Sequence, residues 1–302
     1  MPTDNVGLGA VGGWTIPSNL LYPGLSQLIV QTALPAQVGR PLYQQYPAGG
    51  KPAITFPIES GSISAVASRV GEGDEIPLDV AKVSPNTVTV YKVARGHVIS
   101  NELVMFQQIP LIQHYLIRMA LVLGNTIDVD CWTTILAGAA SANNVSCSGT
   151  TLGVNGTEFT KAHTPGQYDI LDGIMKVRNQ NYEPDVLALN PTGYRYVAAL
   201  PQYSSEWLGG NPAFVNGERG QIEGLRVVLS KNVPANTAFV IASGSNTTMM
   251  GQYSPMGYFV EALPITTMIR EAPQRDGYEV YAKTLYATVV TKGQTISKLD
   301  YS

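Results

Sequence analysis

Residues 70–104 read VGEGDEIPLDVAKVSPNTVTVYKVARGHVISNELV. The first ten of these hold four acids, Glu72, Asp74, Glu75 and Asp79, and two glycines. The middle is rich in Val, Thr and Ser and partly alternating, as in TVTVYKV, a pattern that favours strand over helix. The end, SNELV, offers Ser100 and Asn101 as helix N-caps. Residues 86–100 alone would extend about 45 Å as one strand, against a usual strand of about five or six residues. Residues 51–69 have the same strand character, so the two arms predict a long hairpin with residues 71–79 at its tip. A two-stranded hairpin is at best marginally stable in water. It must lie on something.

The acidic tip has several chemical readings, and the spacing narrows them. The alternating ligand ladder of a calcium loop is absent. A glycosidase needs two carboxylates facing each other across a cleft, which a projecting tip does not supply. What remains is a charged tip that keeps an exposed edge soluble or docks on a basic patch of a neighbour. Arg69, Arg95, Arg118, Arg219, Arg270 and Arg275 are the candidate partners. Elsewhere, PAGGKPAITF at residues 47–56 fails as a phosphate loop, with Pro52 where a Mg²⁺-binding hydroxyl should be. No G-x-S-x-G elbow occurs, and His97, His114 and His163 lie far apart without metal-ligand spacing. The expectation is no catalytic residue, no metal and no cofactor.

On the C-terminal side of the hairpin, Ile112, Leu116, Met119, Leu123, Ile127, Cys131 and Ile135 step by three or four. This predicts a helix over 110–136, roughly 40 Å long, with one continuous apolar stripe. Pro110 suits its first turn. A low-complexity stretch, AASANNVSCSGTTLGVNGT, then marks a boundary. From Tyr168 the pattern becomes short and mixed: YDILDGIMKVRNQN as an amphipathic helix, DVLALN as a strand, Asn190-Pro191 capping a helix, then GLRVVLS and TAFVIAS as buried strands. GYFVEALPITTMIREA and GYEVYAKTLYATVVT form a second long strand pair joined by PQRDG. Residues 1–46 read as an extended arm with one short helical stretch, LSQLIVQTAL, and apolar spots that need a partner.

Composition points to surface that is not left in water. Charged residues are 14% of the 302, against roughly 25% for an ordinary domain, while the apolar fraction of 44% is normal. Sixteen Tyr against six Phe add large side chains with polar tips, which are enriched where proteins meet. A formal net charge of −3 is not the footprint of a protein that grips phosphate, though enclosing nucleic acid remains open. The N-terminus lacks the pattern of a signal peptide, and no uncharged run approaches the roughly 20 residues of a membrane helix. A soluble chain follows, reduced at Cys131 and Cys147.

Set in order, these parts resemble the major capsid protein of tailed phages, the Hong Kong 97-type fold. The likeness is carried by residues 70–104, which are similar to the family's extended loop running through a strand into the spine helix. NTIDVDCWTTILAG, ILDGIMKVRNQNYEPDVLALNPTGYRYVAAL and GLRVVLSKNVPANTAFV match the spine-helix end and the axial domain. The resemblance implies an α+β fold with an N-terminal arm (1–47), an extended hairpin (48–99), the spine helix and peripheral domain (100–165), an axial domain (166–261), and return strands with a C-terminal segment (262–302). It implies a non-enzymatic shell subunit that assembles as pentamers and hexamers into an icosahedral virion capsid around phage double-stranded DNA. Assembly would take place in the host cytoplasm. Implied partners are other copies of the chain, separate scaffold and portal proteins, and optionally a decoration protein, with no membrane. Fewer than fifty residues precede the hairpin, so a scaffold fused to this chain is not expected. Lys82 and Lys92 lie where some members form a covalent link, but no acceptor can be placed for either. The candidate inter-subunit residues are Arg69, Glu72, Asp74, Glu75, Asp79, Arg95, Arg270 and Arg275. The same fold builds encapsulin-type bacterial compartments around enzyme cargo, which is the alternative function; cargo separates the two.

Overall fold

The computed structural model describes residues 27–59, 83–102, 109–147, 167–198, 221–243, 255–272, 274 and 276–301. A short helix α1 (27–33) leads to β1 (Gln44–Pro47), the hairpin strands β2 (Ala53–Glu59) and β3 (Val83–Thr89), and β4 (Tyr91–Ser100). The long helix α2 (Ile109–Gly138) and β5 (Val145–Ser146) follow. Next come α3 (Gln167–Arg178), β6 (Val186–Leu189), α4 (Pro191–Ala198), β7 (Gln221–Ile222), β8 (Leu225–Leu229) and β9 (Thr237–Ile241). The chain closes with β10 (Gly257–Ala272), β11 (Gly277–Val290) and β12 (Ile296–Asp300).

Helix α2 is the spine. Its thirty residues make it about 45 Å long at 1.5 Å per residue. Leu116, Met119, Leu123, Ile127, Cys131 and Ile135 are all buried, so the periodic stripe is the packed face, as its spacing requires. Ile112 lies outside the described side chains. Pro110 sits where a missing N–H costs nothing, because the first turn has no acceptor for it. No described helix is long and apolar enough to cross a membrane.

Two sheets meet the spine. One has four strands in the order β1-β10-β11-β4, with β1 parallel to β10 and the other pairs antiparallel. The other has six, in the order β5-β12-β9-β6-β8-β7, with β6 parallel to β8 and antiparallel to β9. β6 and β9 are buried at every position, and their alternate residues serve two cores. Leu187, Leu189 and Val240 face Ile170, Ile174, Val177 and Val197 of α3 and α4. Val186, Ala188, Phe239 and Ile241 face Ile127, Trp132 and Ile135 of the spine together with Phe259 and Tyr286 of the four-stranded sheet. The period of two in a strand explains why a short run such as VLAL is apolar throughout: both of its faces are covered.

Several local readings hold in detail. Asn190 caps α4, its Oδ1 accepting from the Gly193 amide at 2.5 Å, with Pro191 at the first helical position. The long strands β10 and β11 pair from Gly257↔Val290 to Ala272↔Gly277. One expectation changes: residues 86–100 are not a single strand. The chain breaks at Val90, whose N–H bonds the Pro52 carbonyl at 2.9 Å. Before the break β3 pairs with β2, and after it β4 pairs with β11. Alternation reports strand character but not the partner, so a strand that changes sheets reads as one.

Candidate assembly surfaces

The hairpin is rooted on its own subunit. Phe56, 5% exposed, stacks on Tyr258 of β10 at 4.7 Å between ring centres and meets Tyr46 of β1 edge-on at 5.3 Å. Ile54, Val88 and Val90 pack with it against Ala48, Val260, Ala287 and Val289. This seat lies at the Gly257/Val290 end of the four-stranded sheet, and β3 is the backward continuation of β4 past that end. The hairpin therefore leaves the sheet instead of folding over its length. An extended two-stranded arm has little core of its own, so this aromatic seat fixes its direction. Of the acidic tip, Glu72, Asp74, Glu75 and Asp79, with Arg69, lie outside the described residues, as do Arg219 and Arg275.

The arm that precedes the hairpin is tied to the spine by a buried carboxylate. Asp128 is fully buried and accepts from the Gly39 amide at 2.6 Å, Ser230 Oγ at 2.7 Å, Asn232 Nδ2 at 2.8 Å and Trp132 Nε1 at 3.1 Å. One side chain thus joins the arm, the spine and the β8–β9 turn. One turn earlier, a Cβ on Gly124 would meet the Ala33 carbonyl at 2.5 Å, so only glycine lets the arm pass this close. Tyr43 donates to the Cys131 carbonyl at 2.8 Å, and Arg40 bridges to Glu261 of β10 at 3.0 Å while lying 4.6 Å over the Phe259 ring.

A second acid of the spine, Asp130, holds the sheet. It accepts from Tyr286 at 2.5 Å and from Tyr91 at 3.0 Å. Burial, with the Asp130 carboxylate beside them, holds both phenols well above their ordinary range, so they stay protonated and donating. Burial also raises the Cys131 thiol, and burial with Asp169 and Asp300 pushes Cys147 up to about 12. Both thiols are packing groups rather than nucleophiles.

Of the candidate arginines, the three among the described residues, Arg95, Arg118 and Arg270, are exposed and apart. Arg270 stands opposite Glu279 on the face of the four-stranded sheet turned from the spine. Arg95 pairs with Ala282 and so lies on the spine side. Arg118 is exposed on α2. On the outward sheet face Tyr281 lies on Gly96, where a Cβ would come within 2.7 Å of its ring, and Met268 beside it is 53% exposed. His97 packs against Tyr115 at 4.6 Å between ring centres with the rings tilted by 30°, His114 is exposed, and His163 lies outside the described residues. Asp128, Asp130, Arg40 and Phe56 were not singled out by sequence. Two acids in TIDVDCW, each with an uncharged residue four positions on either side, were the available signal that a helix acid serves buried donors.

A family model described as phage capsid protein matches residues 84–297. No curated protein matches the sequence. Among solved structures, the capsid of cyanophage P-SCSP1u superposes with a TM-score of 0.65 at 14% identity, covering 86% of each chain. Mycobacterium phage Adephagia gives 0.58 at 14% identity, covering 89% of each. The holo-SrpI encapsulin complex from Synechococcus elongatus gives 0.61 at 12% identity, covering 90% of this chain and 89% of that one. At these identities the likeness is one of fold: an α+β, Hong Kong 97-type fold with arm, hairpin, spine helix and α/β axial unit.

Proposed function

Because the chain belongs to the phage capsid protein family, as a capsid shell protein, we propose that it is the major subunit of an icosahedral virion shell enclosing double-stranded DNA. Subunits meet as pentamers and hexamers through the axial domain, residues 166–261. The spine and the long strands form the peripheral wall between them, and the hairpin reaches across a neighbour. The observation that carries this reading is the seat of the hairpin. Phe56 anchors its base to the end of the subunit's own sheet, and the next hairpin residues towards the tip, Pro57, Ser84 and Pro85, are exposed. The acidic tip, Glu72, Asp74, Glu75 and Asp79, then meets cations of another copy, for which the exposed Arg95 and Arg270 are candidates, with Arg69 and Arg275.

The work of such a subunit is assembly, with no turnover. Its net charge of −3 suits a container that lets DNA be packed and released, because each gripped phosphate would add a salt-dependent hold. Separate scaffold and portal proteins, and in some shells a decoration protein, complete the particle in the host cytoplasm. The likeness to an encapsulin gives the second reading, a compartment around protein cargo. Particles purified from infected or expressing cells separate the two. Nuclease-protected double-stranded DNA supports the virion reading, whereas particles that hold a co-purifying enzyme and no protected DNA support the compartment.

A further inference from the structure

The spine presents a second face that packing leaves uncovered. Leu121, Val122 and Val129 are 45%, 48% and 38% exposed. At 100° per residue they span a sector about 100° wide with Asn125 at its centre, and the only charged residue in 121–129, Asp128, is fully buried on another side. A helix face left in water ordinarily carries charged residues, and this stretch of just over two turns carries none. Isolated exposed apolar residues are ordinary, whereas a contiguous stripe of them marks a contact. Beside Leu121 lies a cleft of about 250 Å³, between Ala36 and Val38 of the arm and the β8–β9 turn. Asp128, Ser230 and Asn232 at its floor already bond one another, so the stripe and not the cleft is the docking element.

The stripe is complementary to itself. Leu121, Asn125 and Val129 form one ridge of i, i+4 residues with Val122 beside it, the kind of surface on which two helices cross in the commonest packing class. Asn125 stands at the crossing point. Its Oδ1 accepts from Asn232 Nδ2 at 3.1 Å through one of two lone pairs, and its own Nδ2 has no bond among the described residues. Two copies related by a two-fold axis therefore exchange Nδ2–H···Oδ1 bonds there, each giving what the other accepts. Charge sets the sense: antiparallel about Asn125, the Arg118 end of each spine lies over the Asp130 end of the other, whereas a parallel pair brings like charges together. Three apolar side chains and one amide from each copy bury far less than the roughly 1,200–2,000 Å² of a stable interface. The contact thus forms only between copies already held together, as they are where two-fold axes relate the rings of an icosahedral shell. We infer that the Leu121–Val129 face of the spine packs antiparallel on the same face of a second copy, across a two-fold axis centred at Asn125. The contact rests on the shell reading, since it is too small to hold two free subunits, and it shares no residue with the hairpin contact.

The test uses the full chain with one added cysteine. Helix axes about 8–10 Å apart, less two radii of about 2.3 Å, put the two Asn125 Cα atoms roughly 3.5–5.5 Å apart, overlapping the disulfide range of about 4.4–6.8 Å. Asn125→Cys therefore links to its own copy with no spacer. Thr133→Cys, exposed on the same helix, stands about 12 Å from the axis and so about 24 Å from its copy, and Met175→Cys is an exposed control on α3. Native Cys131 and Cys147 are buried and do not compete. Assembled samples are given a mild oxidant and run on non-reducing gels, and negative-stain images of the same samples record whether shells form. The expected result is a linked dimer in Asn125→Cys at least ten times more abundant than in either control. Shells without that dimer, or with equal linkage at Thr133→Cys, overturn the inference and leave the shell reading standing. Linked dimer in a protein that forms no shells overturns the shell reading and leaves the contact intact. A second pair does not depend on Asn125: when Val122→Cys and Val129→Cys chains are mixed and assembled, links between 122 and 129 outnumber 122–122 and 129–129 links at least threefold, and any other order overturns the antiparallel axis. Val122→Glu, at an exposed site, keeps the monomer's melting temperature and lowers shell yield at least tenfold, because it sets two like charges beside the axis; full yield overturns the inference.

Discussion

Replacing Phe56 by Ala separates the hairpin's seat from the stability of the subunit. The ring is almost fully buried, stacked on Tyr258 and edge-on to Tyr46. Burying a Phe side chain contributes about 1.5–3 kcal/mol, and a well-placed aromatic pair adds about 0.5–1.5 kcal/mol. The docked hairpin is thus stabilised by about 2–4 kcal/mol at this one side chain. At about 1.4 kcal/mol per factor of ten, the undocked population rises roughly thirty- to seven-hundred-fold. The loss stays local, because the Phe56 cluster does not include the spine or the six-stranded sheet. Hydrogen exchange read by mass spectrometry should speed up by that factor in residues 53–59 and 83–90, while residues 186–189 and 237–241 keep their protection. Shell yield should fall with the hairpin's loss of direction. Unchanged hairpin exchange would refute the aromatic seat, and equal loss in the core strands would show that the hairpin is part of the global fold and not a locally docked arm.

Three further outcomes follow from other parts of the molecule. Asp128→Ala strips four donors of their acceptor, and partial rescue by water at the cleft leaves a loss of about 3–4 kcal/mol in monomer urea unfolding; a loss below about 1 kcal/mol would mean the network is not what ties arm to spine. Alkaline pH should destabilise the subunit: Cys147 is raised from 9.0 to about 12, so its stabilising contribution is complete below pH 9 and is lost between about 9 and 12, as the unfolded thiol ionises first. Tyr91 and Tyr286 act in the same direction at higher pH, and melting temperatures from pH 8 to 11 should fall, less steeply in Cys147→Ala. Reversing the charges of Glu72, Asp74 and Glu75 should make assembly less sensitive to salt, and deleting residues 71–77 should leave a folded monomer that assembles poorly; an unfolded deletion variant would place the tip in an intramolecular core.

Much of the fold was legible because its signals are local and periodic. The spine's stripe, the Asn190-Pro191 cap and the β10–β11 pair with its PQRDG turn each follow from residue spacing or turn chemistry. What sequence did not reveal are choices of partner. The strand break at Val90 is invisible because both sheets accept the same alternation. Asp128 and Asp130 sit in an apolar helix, and only the fold shows that their donors come from the arm, the β8–β9 turn and the sheet. Phe56 is one of six phenylalanines, and nothing local distinguishes it until Tyr46 and Tyr258 converge on it. Of the charged candidates, Arg95 and Arg270 prove exposed on opposite sides of one sheet, a distinction set by register and not by sequence.

The central claim is that this chain works by closing into a shell with copies of itself. Electron microscopy of the purified protein under assembly conditions, with sedimentation of the same sample, tests it directly. The account predicts closed icosahedral particles whose vertices and faces are rings of five and six. A single species sedimenting as monomer, with no rings or shells in the images, would contradict it.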